Sequence, residues 1–229
     1  MSSAQVLASV DIVALRLGHE GLELLLLRRA QAPFAGQWAL PGVLINGRSD
    51  DPSLDEAAAR ALAERARIAP GHLEQVATVG NAVRDPRGWS LSTFYLALVG
   101  PDVEPERDDL AFHPVAHLRD GRLALPFDHA QLAEQALARL ATKSVYSALP
   151  LLLLRERFIV GEALRAFELA IGEAVQHSSL RGRLERMKEA GWVADTGERQ
   201  QPPMGRPQHV LRFTPQPGQV FVFDRSLLA

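Results

Sequence analysis

The segment DEAAARALAERARI, from Asp55 to Ile68, is the stretch that most constrains the fold. Its alanine-rich composition favours a helix. Glu56, Arg60 and Glu64 recur every four residues, which places them on one face of that helix. This spacing is typical of an ordinary exposed salt-bridge ladder, and it is also the spacing at which helical carboxylates can share a metal ion. Whether the helix is structural or catalytic therefore has to be inferred from the flanking residues.

Length and composition indicate a globular protein of one large or two small domains. The chain has 229 residues, of which 47% are hydrophobic and 23% charged. The absence of cysteine excludes disulfides and thiolate metal sites and is compatible with the cytoplasm. The first residues, MSSAQVLASVDIVALRL, lack the features of a signal peptide, and the apolar run in ALPLLLLRERFIV is too short to span a membrane. We therefore expect a cytoplasmic protein.

Charge is distributed unevenly along the chain, whose formal net charge is −2. From Pro150 onward there are eleven Lys and Arg residues against nine Asp and Glu. Within Gln176 to Arg212 the ratio is seven to four. This mild basic excess is compatible with nucleic-acid binding, although an ordinary solvated surface has the same composition.

The first two-thirds of the chain has the pattern of an α+β sandwich. Two apolar runs flank the turn GHEG, an alanine-rich helix follows, and two further strands surround the loop VRDPRGW before another helix. The N-cap of the first helix is predicted at Ser53 or Asp55. In order, the predicted elements are strands Val6–Leu17 and Leu22–Arg29, helix Ser53–Arg67, strands Leu73–Ala82 and Ser90–Val99, and helix His129–Thr142.

The pattern changes after the sequence SALP. Helical spacing over Gly161–Gly172 and Ser179–Ala190 is followed by the strand-like segments WVA and HVLRF around a loop rich in Gly, Pro and Gln. Two helices and a two-stranded hairpin are the outline of a winged helix-turn-helix. We therefore predict two domains, residues 1–147 and 148–229.

The segment from Leu40–Gly42 through the helix resembles the Nudix box. In that family a strand, loop and helix carry a glycine pair, an early glutamate, and then Arg-Glu-aliphatic-x-Glu-Glu-x-Gly-aliphatic. Arg60 matches the arginine, Leu62 and Ile68 match the aliphatic positions, and Glu64 matches one of the paired glutamates. The resemblance implies a Nudix-fold α/β/α sandwich. In active members the carboxylates hold Mg²⁺ against a diphosphate.

The match to the Nudix box is degenerate at the positions that carry the chemistry. Ala61 replaces one glutamate, Arg65 replaces the second member of the glutamate pair, and Pro52 stands at the early glutamate. Val43 and Arg67 replace two of the glycines. Because a single carboxylate beside an arginine is a poor cage for Mg²⁺, we predict no metal, no catalytic residue and no required cofactor. Arg60 and Glu64 are then vestiges of the box.

The loop RDPRG contains the principal candidates for ligand binding: Arg84, Asp85 and Arg87, on a turn shaped by Pro86 and Gly88. Two arginines on a short loop could contact a pyrophosphate, although an internal Arg–Asp pair in a surface turn is an equally frequent arrangement. The segment RDPRGWSLSTFYLAL is similar to that of Nudix proteins that handle ADP-ribose and of the Nudix-related NrtR regulators of NAD metabolism. That resemblance implies an ADP-ribose-like effector. Further candidates are Arg28, Arg29 and Trp38, with Phe34 as an alternative stacking partner for adenine.

The C-terminal part resembles the winged helix of NrtR-like regulators. In its second helix Leu180, Leu184 and Met187 form a predicted buried stripe, and the serine pair before it is the predicted N-cap. Ser179 and Arg183 are the expected readers of base edges, and the other candidates are expected to contact phosphate. The full set of predicted DNA-binding residues is Ser178, Ser179, Arg181, Arg183, Arg186, Lys188, Arg199 and Arg206, the last two on a wing spanning Asp195–Gln208.

Together these features predict a transcriptional repressor of NAD-related metabolism. It would be a homodimer on palindromic double-stranded DNA, and an ADP-ribose-like nucleotide would control it. One alternative is an active Mg²⁺-dependent hydrolase of ADP-ribose or another nucleoside diphosphate derivative, which would recruit Asp50, Asp51 or Glu56. A second alternative is a winged helix that binds a protein instead of DNA.

Overall fold

The computed structural model describes residues 6–45, 51–201, 206–216 and 219–223. The chain divides into two compact units. The first contains Met1–Val99 and Val103–Leu137, and the second contains Gly100–Asp102 and Ala138–Ala229. This division falls within a helix that runs from His129 to Ser144. The domain boundary after residue 147 stays a prediction.

The first unit is built on a seven-stranded mixed sheet. Its strands run in the order β3-β2-β1-β6-β5, β4 pairs with β1, and β7 pairs with β2. Strands β1 and β6 are parallel and the other pairs are antiparallel. The strands are β1 (Leu7–Leu17), β2 (Leu22–Arg28), β3 (Trp38–Ala39), β4 (Gly42–Leu44), β5 (His72–Asn81), β6 (Ser90–Leu98) and β7 (Leu110–Pro114), and the helices are α1 (Leu54–Arg60), α2 (Val115–Arg119) and α3 (His129–Ser144).

Strands β1 and β6 lie at the centre of the sheet; β1 is buried without interruption from Val10 to Leu15, and β6 at every position except Leu91. This explains why their sequences are apolar runs instead of strict alternations. Helix α1 and the turn that follows it pack on the sheet through small side chains, since Ala57, Ala58 and Ala61 are completely buried. Alanine lets the helix approach the sheet closely. The predicted strands are confirmed, with small differences at their ends.

The helix predicted over Ser53–Arg67 is present, but it is not uniform. It begins at the predicted N-cap, where the Ser53 hydroxyl accepts a hydrogen bond from the Glu56 amide at 3.2 Å. After α1 it continues as a π-helix over Ala61–Ala66. Turns of this kind often occur at functional sites, because they change the direction in which side chains point.

Arg67 ends this helix in the left-handed conformation, with φ of 51°. It stands where the Nudix box has a glycine, so the backbone shape persists without the residue that adopts it at least cost. We expect Arg67→Gly to raise the free energy of unfolding by about 0.5–1 kcal/mol, measured by urea titration. Arg65→Gly, the same exchange inside the helix, should instead lower it by about 1 kcal/mol. Destabilisation by both variants would contradict the assignment of strain to Arg67.

Besides the end of α3, the described residues of the second unit form two further helices and a three-stranded sheet. A 3₁₀ turn over Leu149–Leu153 precedes the short strand β8, which the sequence analysis missed. Three residues are too few to show a periodic pattern, and β8 is defined only by its pairing with a distant strand, β10. The elements are β8 (Arg157–Ile159), α4 (Val160–Ile171), α5 (His177–Glu189), β9 (Val193–Gln200) and β10 (Gln208–Phe213), with the sheet order β8-β10-β9.

The winged helix-turn-helix pattern is present in this unit. The stripe of Leu180, Leu184 and Met187 is buried at 2% exposure or less, as predicted. The predicted serine N-cap is wrong, because α5 starts earlier, with Gln176 at its N-cap and no capping side chain. Ser178 and Ser179 lie instead inside the first turn, both exposed. Part of the predicted wing, residues 202–205, lies outside the described residues.

No helix within the described parts of the chain is both long and apolar enough to cross a membrane.

Candidate functional site

A cleft of about 300 Å³ opens on the first unit. It lies among β1, β2, β4, the π-helical turn and the loop between β5 and β6, so residues far apart in sequence meet there. Four of its lining residues are arginines, whose guanidinium groups favour anionic ligands. They are Arg29, Arg65, Arg84 and Arg87.

Arg84 reaches the cleft from the predicted ligand loop, but its guanidinium is held by the protein itself. It is 8% exposed and forms a two-point pair with Asp128, with Nε–Oδ2 at 2.9 Å and Nη2–Oδ1 at 2.8 Å. A further bond to the Ser90 hydroxyl measures 3.3 Å. Arg84 therefore anchors the loop to the start of α3 and does not present a free fork of donors to the cleft.

Arg87 and Asp85 form the internal loop pair that was one of the two alternatives for this segment. The Arg87 Nη2 donates to Asp85 Oδ2 at 2.7 Å, and its backbone amide donates to Oδ1 at 2.9 Å. Burial opposes ionisation of Asp85, but these hydrogen bonds outweigh it and hold the pKa of its carboxyl group below the ordinary value. Both residues nevertheless line the cleft, so the pair is part of its wall.

Arg29, which immediately follows β2, faces the cleft. Its Nε donates to the Pro33 carbonyl at 2.7 Å, and its guanidinium lies 4.9 Å from the centre of the Phe127 ring. Burial and the nearby charge of Arg87 lower the pKa of Arg29. Phe127, with a positive φ of 58°, is an aromatic lining residue that the sequence analysis missed, because no local pattern marks it.

Arg28 and Trp38 do not line the cleft. Successive residues of a strand point to opposite faces, so Arg28 is turned away from the side that Arg29 takes. Arg28 donates to the Gly36 carbonyl at 3.2 Å, and Trp38 makes an edge contact with His113 at 4.8 Å between ring centres. We leave both out of the site proposed below.

The floor of the cleft is a buried polar cluster that the sequence analysis also missed. Asp11 is 7% exposed and His129 is 4% exposed. The Asp11 Oδ2 accepts hydrogen bonds from the hydroxyls of Ser92 at 2.5 Å and Ser9 at 3.2 Å. His129 Nδ1 accepts the Leu40 amide at 3.0 Å, which leaves the proton of the neutral ring on Nε2, 3.8 Å from Asp11 Oδ1.

Burial favours the uncharged form of this histidine and lowers the pKa of His129. Its nearest carboxylate, Asp11, opposes that effect without reversing it. The floor of the cleft therefore presents one N–H donor and one carboxylate oxygen side by side.

The remnants of the Nudix box act structurally. Arg60 donates to Asp51 at 2.6 and 2.8 Å and to the Leu44 carbonyl at 3.1 Å, which ties the helix to the preceding loop. Glu64 is exposed and contacts Arg60 at 3.6 Å. Ala61 is buried in the core and Arg65 lines the cleft.

These residues do not fit a magnesium ion. Divalent magnesium requires carboxylate oxygens, yet the cleft receives the cation Arg65 from this helix. Asp51 is engaged by Arg60, Asp55 accepts a hydrogen bond from the Tyr95 hydroxyl at 2.7 Å, and Asp50 lies outside the described residues. Within those residues no three His, Asp or Glu side chains are grouped closely enough to hold a metal.

The second unit presents a different basic surface. Arg181 on α5 is exposed, as are Arg199 on β9 and Arg206 near the wing. Lys188 is partly engaged, with its amine 2.9 Å from Glu185. Ser178 and Ser179 are exposed in the first turn of α5, at the end where the helix dipole favours phosphate.

Arg183 is placed differently from the prediction, which made it a reader of base edges. It donates to the Val145 carbonyl at 2.7 Å and stacks 5.0 Å from the centre of the Phe223 ring. Burial and neighbouring Arg186 lower the pKa of Arg183. Arg186 also faces Phe223, at 5.9 Å. Both guanidinium groups are thus directed at a C-terminal segment that no helical pattern could reveal.

A mixed sheet with a cationic cleft beside a degenerate Nudix helix, followed by a winged helix-turn-helix, defines a Nudix-related regulator more closely than a hydrolase. The model of the NUDIX domain matches residues 7–139. Over 223 residues the chain is 34% identical to the ADPR responsive transcriptional repressor NtrR of Acinetobacter baylyi, covering 96% of this chain and 87% of that protein.

Solved structures agree with this relationship. The crystal structure of Shewanella oneidensis NrtR complexed with a 27mer DNA is 34% identical, with a TM-score of 0.82 over 94% of this chain and 97% of that one. The NUDIX domain of the same regulator, complexed with ADP ribose, is 37% identical, with a TM-score of 0.55 over 61% of this chain and 91% of that one. The chain therefore belongs to the Nudix family and, within it, to the NrtR-like transcriptional regulators.

Proposed function

We propose that this protein is a transcriptional repressor whose Nudix domain binds ADP-ribose or a close relative and whose winged helix binds operator DNA. The observation that carries the proposal is Arg65: a cation lines the cleft where the Nudix box places a metal-binding acid. The site can then attract the diphosphate directly, without a metal ion. The relatives that respond to ADP-ribose or bind DNA support both halves of the proposal.

The proposed effector site consists of Arg29, Arg65 and the loop pair Arg87–Asp85, with Phe127 as an aromatic wall. Arg29 and Arg65 are the cations available to the diphosphate, because Arg87 is neutralised by Asp85. A guanidinium can bind phosphate oxygens at two points. Phe127 offers a ring face of the kind on which a base stacks.

In the proposed DNA-binding domain, residues 148–229, the exposed start of α5 and the wing contact the duplex. Ser178, Ser179 and Arg181 belong to this surface, and Arg199 and Arg206 extend it along the wing. We propose a homodimer on a palindromic site in the cytoplasm, since two half-sites give the specificity that one small module lacks. Effector binding would change DNA affinity by roughly 5- to 150-fold.

The test is fluorescence anisotropy of the protein on the DNA upstream of its own gene, at fixed salt, with and without ADP-ribose. Tight binding that changes several-fold with ADP-ribose is the expected result. Mg²⁺-dependent consumption of ADP-ribose that Glu64→Gln abolishes, with no DNA binding, would instead establish a hydrolase. ADP-ribose binding with no DNA affinity would favour a winged helix that binds a protein.

Arg181 supplies a quantitative prediction for the DNA surface. Arg181→Ala should weaken binding about tenfold near 100 mM salt on all DNA sequences, and it should reduce the slope of log K against log salt by about one per subunit. Anisotropy over a salt series measures both. Arg122→Ala removes an exposed arginine of the first unit and is the matched control. An unchanged salt slope for the Arg181 variant would remove α5 from the interface.

A further inference from the structure

We propose that Asp11 and His129 form a hydroxyl-binding subsite on the floor of the cleft, which selects effectors by a ribose vicinal diol. This inference rests on the proposed function, because it concerns the same cleft. It adds a determinant of specificity that is formed by residues outside the Nudix box and differs chemically from the cationic residues of the cleft.

The first argument is the unequal use of the two Asp11 oxygens. Oδ2 accepts hydrogen bonds from Ser92 and Ser9. For Oδ1, no hydrogen-bond donor lies within bonding distance among the residues that the structure describes, and His129 Nε2 lies 3.8 Å from it. Asp11 is only 7% exposed and lines the cleft, so this oxygen is free to accept a hydrogen bond from a ligand there.

The second argument is the room made for that oxygen. Gly42 lies opposite Asp11 in the β1–β4 pair, and a Cβ at this position would stand 2.2 Å from Asp11 Oδ1. Gly42, Asp11 and His129 all line the cleft. Because Gly42 has no side chain, there is room for Asp11 Oδ1 at the floor of the cleft.

The third argument is chemical complementarity. The 3.8 Å gap between His129 Nε2 and Asp11 Oδ1 is too long for a direct hydrogen bond, but a hydroxyl oxygen can lie within bonding distance of both atoms. Such a hydroxyl donates to the carboxylate and accepts from the imidazole N–H. The two hydroxyl groups of a vicinal diol can form hydrogen bonds with Asp11 and His129 at the same time.

The same carboxylate excludes an alternative ligand for this subsite. A phosphate group has no donor for Oδ1 at neutral pH and would be repelled by the Asp11 charge, whereas the guanidinium groups of Arg29 and Arg65 attract it. The cleft thus contains both anion-binding and hydroxyl-binding residues. A nucleoside diphosphate with a ribose on the floor satisfies both sets of residues.

The ribose can come from either end of the effector, and three ligands distinguish the sources. ADP-ribose carries both riboses, ADP lacks the distal one, and 2′-deoxy-ADP also lacks a proximal hydroxyl. We would titrate each into the full-length protein by calorimetry, using wild type, Asp11→Asn and Thr93→Ala. Asparagine keeps the size of the side chain but removes its charge. Thr93→Ala is the structural control, because it removes a buried hydroxyl of β6 that bonds Thr78 and does not line the cleft.

We expect wild type to bind the ligand with the relevant hydroxyl at least tenfold more tightly than the ligand without it, and Asp11→Asn to lose that preference. If Asp11→Asn no longer binds ADP-ribose more tightly than ADP, the subsite holds the distal ribose. If it no longer binds ADP more tightly than 2′-deoxy-ADP, the subsite holds the proximal ribose. Thr93→Ala should keep the wild-type preference even if its melting temperature falls.

Two results would overturn the inference. One is a wild type that binds ADP-ribose but does not discriminate among the three ligands, which needs no variant and is independent of folding. The other is a folded Asp11→Asn variant that retains the wild-type preferences. In both cases ADP-ribose binding by wild type would still stand. Failure of wild type to bind ADP-ribose at all would instead refute the proposed effector, and the subsite with it.

Discussion

Replacing Arg84 with alanine should lower the free energy of unfolding of the first unit by about 3–5 kcal/mol. The Arg84–Asp128 pair is almost buried, with side-chain exposures of 5% and 14%, and removing one partner leaves the other charge without compensation. Hydrogen exchange of the β5 and β6 amides would measure the loss in that unit alone. The amides of α4, in the other unit, provide an internal reference.

Two variants test whether the orphaned charge is the cause. Arg84→Ala with Asp128→Ala removes both charges and should recover part of the loss, because no uncompensated carboxylate remains. Arg84→Lys keeps the charge but not the two-point geometry, so an intermediate effect is expected. A double variant whose loss equals the sum of the two single losses would show that the pair itself has no energetic coupling.

The second large effect is expected for Gly42→Ala. The added Cβ would lie 2.2 Å from Asp11 Oδ1 and 2.8 Å from the Val10 carbonyl oxygen. The side chain of Asp11 could rotate, but the Val10 backbone is fixed by strand pairing, so the strands must separate. We expect a loss of about 3 kcal/mol in the free energy of unfolding, measured by urea titration, and weaker ADP-ribose binding because Asp11 is displaced.

Gly100→Ala is the matched control for the Gly42 variant. Gly100 follows β6, and a Cβ there would meet no heavy atom within 4 Å. The same chemical change should therefore alter stability by less than about 0.5 kcal/mol. Equal effects for the two glycines would mean that loss of glycine itself, and not the clash with β1, destabilises the protein.

The degenerate box illustrates how a family framework can persist after several of its characteristic residues have been exchanged. Arg60 still clamps the helix, through Asp51, and Arg67 still adopts the backbone conformation of the glycine that it replaces. These features depend on the backbone shape of the helix, so they are retained. Metal binding depends on the charge of individual side chains, and Ala61 and Arg65 stand where the box has two carboxylates.

Several features were determined by the sequence alone. The apolar runs of β1 and β2, the alanine-rich helix with its Ser53 cap, and the stripe of α5 all follow from local periodicity and composition. The degenerate box and the winged-helix outline were equally visible. Each depends on residues close together in the chain, where spacing translates directly into position on a helix or strand.

Other features were decided only by the tertiary structure. The Asp11–His129 floor joins residues 118 positions apart, and Arg84 finds Asp128 on another element. Arg183 has the position of a DNA reader in the helical pattern, yet Val145 and Phe223 engage it. Periodicity tells which face of an element a residue occupies, but not which distant segment covers that face. Partners of charged side chains are therefore set by packing across the chain, and with them whether an arginine binds a ligand or stabilises the fold.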